Sequence, residues 1–275
     1  MPQTTSEELS TTSEEPSSTS SVEPSSTSET PGPTFDCDAG GYLIQVTELY
    51  RLDLTTGENV LVNSAVGPGE QVNAIGYNVQ DDYIWGIVQG PQLIRINQDG
   101  DYTLFDVDLG DALYWNVGDF DQDGTLWVLN GSGEGWARID ATTGSDTIGE
   151  VVESGDTTQV NGVSDWALVK GGGNYLYTIA RSSTTNAVLQ RWSLDTKEWE
   201  VLEELGDIAG NNIFGAVYSA GNGVLYASEN NSGEIWRFDV LGGDVSPTLV
   251  TEGPSSTNND GARCIEAPDP ETTAE

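Results

Sequence analysis

The chain has 275 residues, 45 of them Asp or Glu against nine Lys or Arg, giving a net charge of −36 with no histidine. That balance excludes nucleic-acid binding, which needs basic groups to neutralise phosphate, and argues against attraction to anionic lipid; the missing imidazole excludes Ser-His-Asp and Cys-His catalysis. Two cysteines suit one disulfide rather than a four-cysteine zinc site, and no apolar run is long enough to span a bilayer.

Residues 1–34 contain 18 Ser or Thr and six Glu but no aromatic residue. A segment of that kind buries too little apolar surface to offset its ordering entropy, so it is expected to be a disordered stalk or linker of the O-glycosylated type. It has neither a basic n-region nor an apolar h-region, so no signal peptide is expected. The expectation is a piece of a longer secreted protein, extracellular or in a cell wall. Residues 267–275, rich in Pro, Asp, Glu and Thr, are expected to be a second disordered tail.

Between these flanks, residues 35–266 repeat. An Arg returns in Leu49-Tyr50-Arg51-Leu52, Leu93-Ile94-Arg95-Ile96, Trp136-Ala137-Arg138-Ile139, Leu189-Gln190-Arg191-Trp192 and Ile235-Trp236-Arg237-Phe238, at spacings of 44, 43, 53 and 46 residues. A period of about 40–50 residues with several short strands per unit predicts a β-propeller. In blade two the strands are expected at 72–77, 83–88, 93–96 and 101–105, and in blade three at 115–120, 125–129, 136–140 and 146–152. Blade four follows at 165–169, 175–179, 188–194 and 198–202, and blade five at 214–219, 224–227, 234–240 and 248–251. Polar, Gly- and Asp-containing turns separate them. No window sustains an apolar period of 3.6, so no long helix is expected.

The first unit offers strands at 42–46, 49–54 and 59–62 but no innermost one. Residues 260–265 supply it from the other end. The fold class is thus all-β, a five-bladed propeller closed by a first blade shared between the termini, with a six-bladed ring as the alternative. Cys37 and Cys264 sit at the two ends of the folded region, and a bond between them would lock the closure. For the repeated Arg, a structural role in ion pairs or against aromatic rings is favoured over a ring of ligand-binding groups.

The stretch from Asp36-Cys37-Asp38 to Gln45, with Asn73-Ala74-Ile75-Gly76-Tyr77-Asn78, Gly118-Asp119-Phe120-Asp121, Ser228-Glu229-Asn230-Asn231-Ser232-Gly233-Glu234 and the ending Asn259-Asp260-Gly261-Ala262-Arg263-Cys264, resembles an uncharacterised propeller domain. That domain occurs in fungal and some bacterial surface or secreted proteins, in fungi beside Ser/Thr-rich stalks and lectin-like adhesin modules. The resemblance covers residues 35–266 and implies fold and extracellular location. It implies no activity.

Ligand-binding candidates lie near the channel: Asn73, Asn116, Asp165 and Asp260, with the aromatics Trp115, Trp166 and Phe214 beside them. Amides and carboxylates next to aromatic rings suit sugars, whose rings offer apolar faces and hydroxyl rims; packing between blades is the competing reading. Asp119, Asp121 and Asp123, with Gly124 in the sixth place, have the opening spacing of a calcium loop, but Asn130 stands where the bidentate Glu is wanted. A hairpin turn is the alternative there, and no other cofactor is expected. Asn130 and Asn230 head glycosylation sequons. For catalysis, Asp165, Glu229, Glu234 and Asp260 are the available carboxylates, with Lys170 and Lys197 the only lysines, and no spacing pairs them. The expected function is a non-catalytic, monomeric binding or adhesion module for a cell-wall glycan or a surface protein. A structural spacer and a secreted carbohydrate-active hydrolase or lyase are the alternatives.

Overall fold

A computed structural model gives the fold and describes residues 1–2, 32–243 and 245–272. The expected stalk therefore lies outside the described residues apart from its ends, and the folded unit begins at Gly32. Five four-stranded antiparallel sheets form a five-bladed propeller. Blade one is β1 (Gly41–Gln45), β2 (Glu48–Leu52) and β3 (Asn59–Asn63). Blade two is β4 (Val72–Asn78), β5 (Tyr83–Val88), β6 (Gln92–Ile96) and β7 (Tyr102–Phe105), and blade three β8 (Trp115–Phe120), β9 (Leu126–Asn130), β10 (Gly135–Ile139) and β11 (Val151–Asp156). Blade four is β12 (Ala167–Leu168), β13 (Tyr175–Arg181), β14 (Ala187–Ser193) and β15 (Trp199–Gly206). Blade five is β16 (Phe214–Ala220), β17 (Val224–Glu229), β18 (Glu234–Asp239) and β19 (Thr248–Glu252). The last strand, β20 (Asn259–Ala262), returns to blade one as its innermost strand, pairing Tyr42 with Ala262 and Ile44 with Asp260.

Each sheet packs a neighbour on both faces, which is why β4, β5, β16 and β17 are buried at every position instead of alternating. The apolar core is correspondingly divided among the gaps between blades. Tyr42, Ile44 and Ala262 meet Ile75 and Tyr77 between blades one and two. Between three and four, Trp127, Trp136, Trp166 and Trp192 meet with ring centroids 5.4 to 5.6 Å apart. The outermost strands β3, β11 and β15 are largely exposed.

The repeated Arg has a constant partner. It stands directly across from an aromatic residue of the second strand in every blade: Tyr42 with Arg51, Trp85 with Arg95, Trp127 with Arg138, Tyr177 with Arg191, and Tyr226 with Arg237. Arg95 lies over Tyr83, Trp85 and Phe105, Arg138 over Trp127, and Arg191 over Tyr175 at 3.8 Å from the ring centroid. Such stacking holds a guanidinium against an apolar surface without full desolvation. In blades one and five the terminal segments add carboxylates, Asp38 to Arg51 and both Asp269 and Glu271 to Arg237. This is the structural role expected from the sequence.

The ending Asn259-Asp260-Gly261-Ala262-Arg263-Cys264 acts residue by residue as the clasp. Asn259 accepts from Gln45 Nε2 at 2.8 Å, and Asp260 accepts the Ile75 N–H of blade two at 2.7 Å. Gly261 lets blade five approach, since a Cβ there would fall 2.9 Å from the Tyr218 ring and 3.0 Å from the Val217 nitrogen. Ala262 enters the core. The Arg263 guanidinium donates to Ala39 O, Ser219 O and Pro268 O, tying the N-terminal entry, blade five and the C-terminal segment together. Cys264 bonds Cys37 across a separation of 227 residues.

Several sequence expectations shift. The closing strand is 259–262, and Arg263 and Cys264 lie just beyond it. The fourth strand of blade three starts at Val151, not 146, because Ser145 and Thr147 hydroxyls donate to the Asp140 carboxylate and Gly149 turns the chain at φ +87°. The inner strand of blade four shrinks to two residues, leaving Asp165 and Trp166 outside it. Residues 267–272 are no disordered tail: Ala267 and Asp269 are buried, the Tyr226 hydroxyl donates to Asp269 at 2.7 Å, and a 3-10 turn spans Pro270–Thr272. Residues 32–34 are likewise held, with Tyr83 Oη donating to Gly32 O and the Gln98 N–H to Pro33 O. Residues 273–275 lie outside the described residues.

Because the disulfide closes so long a loop, reducing it or replacing both cysteines by Ser is expected to destabilise the ring by about 2–5 kcal/mol. Urea unfolding of oxidised and reduced protein checks this, and coincident midpoints would show the clasp to be mechanically idle.

Candidate functional site

The inner strands converge on the axis, where their free edges carry backbone N–H groups with no strand to pair. Three aspartates meet that need. Asp260 on β20 accepts the Ile75 N–H of β4 and its neighbour Gly261 N–H. Asp119 on β8 accepts the Leu168 N–H of β12 at 2.7 Å. Asp165 accepts the Val217 N–H of β16 at 2.6 Å and the Trp166 N–H at 2.7 Å. Each carboxylate thus links its own blade to the next. The remaining two junctions use close backbone approach: a Cβ at Gly118 would fall 2.1 Å from the Ala74 carbonyl oxygen, and Gly261 serves the junction of blades five and one.

No described Lys or Arg forms an ion pair with these three carboxylates. Burial pushes the Asp119 carboxyl up to about 7, with the nearby Asp121 charge adding to the rise. Burial also raises Asp165 and Asp260 well above the usual carboxylate range, and each is raised further by another member of the trio. Hydrogen bonds from backbone N–H groups pull the other way without cancelling the cost of desolvation.

Asp119 also reaches a cavity of about 470 Å³ at the mouth formed by the C-terminal ends of the inner strands. Tyr77, Phe120, Leu168 and Ile265 give it apolar walls, while Asp121, Gln122, Lys170, Arg263 and Glu266 supply polar groups. Arg263 is committed to backbone carbonyls, and Lys170 pairs with Glu266. Asp119 and Asp121 are therefore the carboxylates at this mouth that no described Lys or Arg pairs.

The residues singled out from sequence fare differently. Trp115, Trp166 and Phe214 are buried in the gaps between blades and present no stacking face to a ligand. Asp165 and Asp260 are the axial links just described. Asn73 is buried, and its Oδ1 accepts the Ala74 N–H at a bulge where Ala74 has φ +53°. Asn116 Oδ1 is buried without a hydrogen-bond partner, as is Asn230 Oδ1. The Asp121 carboxylate accepts from the Asp123 and Thr125 N–H groups and from Trp127 Nε1, which makes the hairpin turn, while Asp119 turns to the axis. Among the described residues no three acidic or thiol groups gather around a metal-sized space. Glu229 caps a loop through the Asn211, Ile213, Asn231 and Ser232 N–H groups, and Glu234 accepts from Trp236 Nε1. Asn130 accepts from Ser132 Oγ and Gly135 N–H at an accessible turn. Asn230 is 8% exposed, so a glycan there conflicts with the fold. The sequence carries one sign that Asp119 points between blades, its alternation with Val117 on one face of β8.

The family model described as "Repeat of unknown function (DUF6923)" matches residues 40–266. No curated protein matches the chain. Among solved structures, one titled as a nidogen/laminin complex shares 12% identity over 82% of this chain and 99% of that one, with a TM-score of 0.50. A streptogramin B lyase shares 15% identity over 80% of this chain and 71% of its own, at a TM-score of 0.45. A catalytically inactive virginiamycin B lyase from Staphylococcus aureus, solved with quinupristin, shares 14% identity over 75% and 68%, at 0.44. At these identities the likeness is one of fold.

The axial carboxyls set an unusual pH dependence. A folded value raised from 3.8 to about 7 means that Asp119 contributes stability in full below the unfolded value and loses it as pH rises through about 7. Asp165 and Asp260 act in the same direction. The melting temperature is therefore expected to fall between about pH 5 and about pH 8.5. Asp119→Asn keeps an oxygen for the Leu168 N–H, so it should flatten that profile and raise the melting temperature at the alkaline end. Calorimetry across the range checks both, and a rising profile would contradict the assignment.

Proposed function

We propose that this chain, which belongs to the DUF6923 family of repeats of unknown function, is an extracellular, non-catalytic binding module that holds its partner in the cavity floored by Asp119. The observation that carries the reading is an open, apolar-walled cavity where two carboxylates, Asp119 and Asp121, form no ion pair with any described Lys or Arg, in a chain of net charge −36. Concave sites with apolar walls and a few directed polar groups are where ligands are usually held. The partner that fits is a glycan or surface protein presenting a basic group, an amino sugar or a Lys or Arg side chain, whose apolar portion lies on Tyr77, Phe120 and Ile265. The long-range negative field of the chain would speed its approach. The disulfide supports an oxidising location, and no described helix is long and apolar enough to cross a membrane.

Calorimetric titration with short Lys- and Arg-bearing peptides, which stay cationic at the pH where Asp119 is ionised, tests the reading. Binding is expected at about pH 8, weakening by about tenfold or more in Asp119→Asn, which removes the charge and leaves the fold in place. Absence of binding in every case would sink it. A second reading rests on the near-neutral Asp119 carboxyl, the range suited to general acid–base work. Release of product from any polysaccharide by wild type but not by Asp119→Asn would establish that reading and overturn the non-catalytic one.

A further inference from the structure

The opposite mouth, at the N-terminal ends of the inner strands, is built from different chemistry. Gln45 closes β1, Gln71 immediately precedes β4, Tyr114 precedes β8 and Asn116 is its second residue, while Asn258 immediately precedes β20 and Asn259 opens it. Three blades thus bring five amides and a phenol to one rim, with no Lys, Arg, Asp or Glu among the six. They are already joined: Gln45 Nε2 donates to Asn259 Oδ1 at 2.8 Å, Gln71 Nε2 donates to Asn258 Oδ1 at 3.4 Å, and Gln71 also reaches the Tyr114 hydroxyl. Burial, with the charge of Asp260 beneath, pushes the Tyr114 phenol up, so it remains a neutral hydroxyl.

Two features of this rim remain unused by the fold. Asn259 is 4% exposed, yet its Nδ2 donor has no partner, and neither has Asn116 Oδ1. Asn116 sits at a register shift between Trp115 and Val117, the kind of bulge that redirects a side chain. Buried amide atoms without partners carry a desolvation cost that an incoming hydrogen-bonding group removes. The second feature is Tyr114. A Cβ on Gly131 would lie 2.4 Å from its Cδ1, so one side of the ring rests on glycine backbone, and the Gly131 N–H donates to the Tyr114 carbonyl at 2.9 Å. Tyr114 as a residue is nonetheless 42% exposed, and Leu113 beside it is more exposed still. It is a fixed aromatic platform at the edge of an amide cluster.

We propose that this mouth is a second binding site, for a neutral, hydroxyl-rich ligand: an oligosaccharide chain with one sugar ring stacked on Tyr114 and its hydroxyls paired with Asn116 and Asn259. Paired donors and acceptors on neutral amides match hydroxyl groups, which both donate and accept. A ring face of C–H groups matches the exposed phenol. An acidic ligand finds no basic group among these six side chains and meets the negative field of the chain. The site is independent of the cavity at the other mouth.

The test is titration with three neutral hexasaccharides, maltohexaose, cellohexaose and laminarihexaose, followed by calorimetry and by saturation-transfer NMR. At least one is expected to bind, with its affinity lowered about tenfold by Tyr114→Ala, the loss of one stacking face. Asn116→Leu, nearly isosteric and still foldable at a bulge, should lower it comparably. Asp119→Asn, at the opposite mouth, should leave saccharide affinity unchanged while removing binding of basic ligands, so the two sites fail separately. Failure of all three hexasaccharides to bind at about 10 mM would overturn the proposal. So would binding that survives both Tyr114→Ala and Asn116→Leu unaltered.

Discussion

A ring of sheets has no terminal strand to spare, so the two ends of the chain must be joined where the first blade is completed. In this protein that join is made by the pairing of β20 with β1, and the side chains around it reinforce a single place. Asp260 reaches forward to blade two, Gly261 admits blade five, Arg263 gathers three carbonyls, and Cys264 takes the disulfide. Remove the pairing and blade one keeps three strands with an open inner edge. The gap between blades five and one would then expose Tyr218, Tyr226 and Leu43. Everything described at either mouth presupposes this closure, since both mouths include residues of the closing segment.

The axial carboxylates follow from the same geometry. Inner strands splay from a common axis, so neighbouring inner strands are too far apart to form a continuous ladder yet too buried to leave N–H groups to water. A short side chain with two acceptor oxygens is suited to that gap. Asp119, Asp165 and Asp260 each fill one, and glycine-mediated approach handles the rest. The consequence is mutual repulsion among buried acids with no described basic partner. Folding is therefore stabilised by geometry and opposed by electrostatics at the same atoms, which is why their protonation favours the fold.

The mouths divide the chemistry. One has apolar walls and a buried acid; the other has neutral amides and a fixed aromatic ring. The distinction arises from strand direction. C-terminal ends of inner strands turn into short hairpins that leave room above the axis, while N-terminal ends receive long connections from the outer strands and collect polar loop residues. A propeller is rigid because its blades pack on both faces, so each mouth is held in shape by core residues that do not touch a ligand.

The sequence by itself favoured five blades over six and pointed to the closing segment and the disulfide, because these depend on periodicity and on what the first unit lacks. It also favoured a structural role for the repeated Arg over a ligand-binding one, although its aromatic partners on the second strands, Tyr42, Trp85, Trp127, Tyr177 and Tyr226, escaped notice: their distance from the Arg varies with hairpin length, and only the register makes them constant. Tertiary structure alone decided which polar residues are free. Trp115, Trp166 and Phe214 read as ligand platforms because an aromatic beside an amide looks alike whether it faces solvent or a neighbouring blade, and a strand buried on both faces has no alternation to tell them apart. Tyr114, one position before Trp115, is exposed because it precedes the strand and lies on Gly131. Asp119 and Asp121, two residues apart, differ for the same reason: one turns between blades and the other caps a hairpin, and that difference is set by contacts far away in the chain.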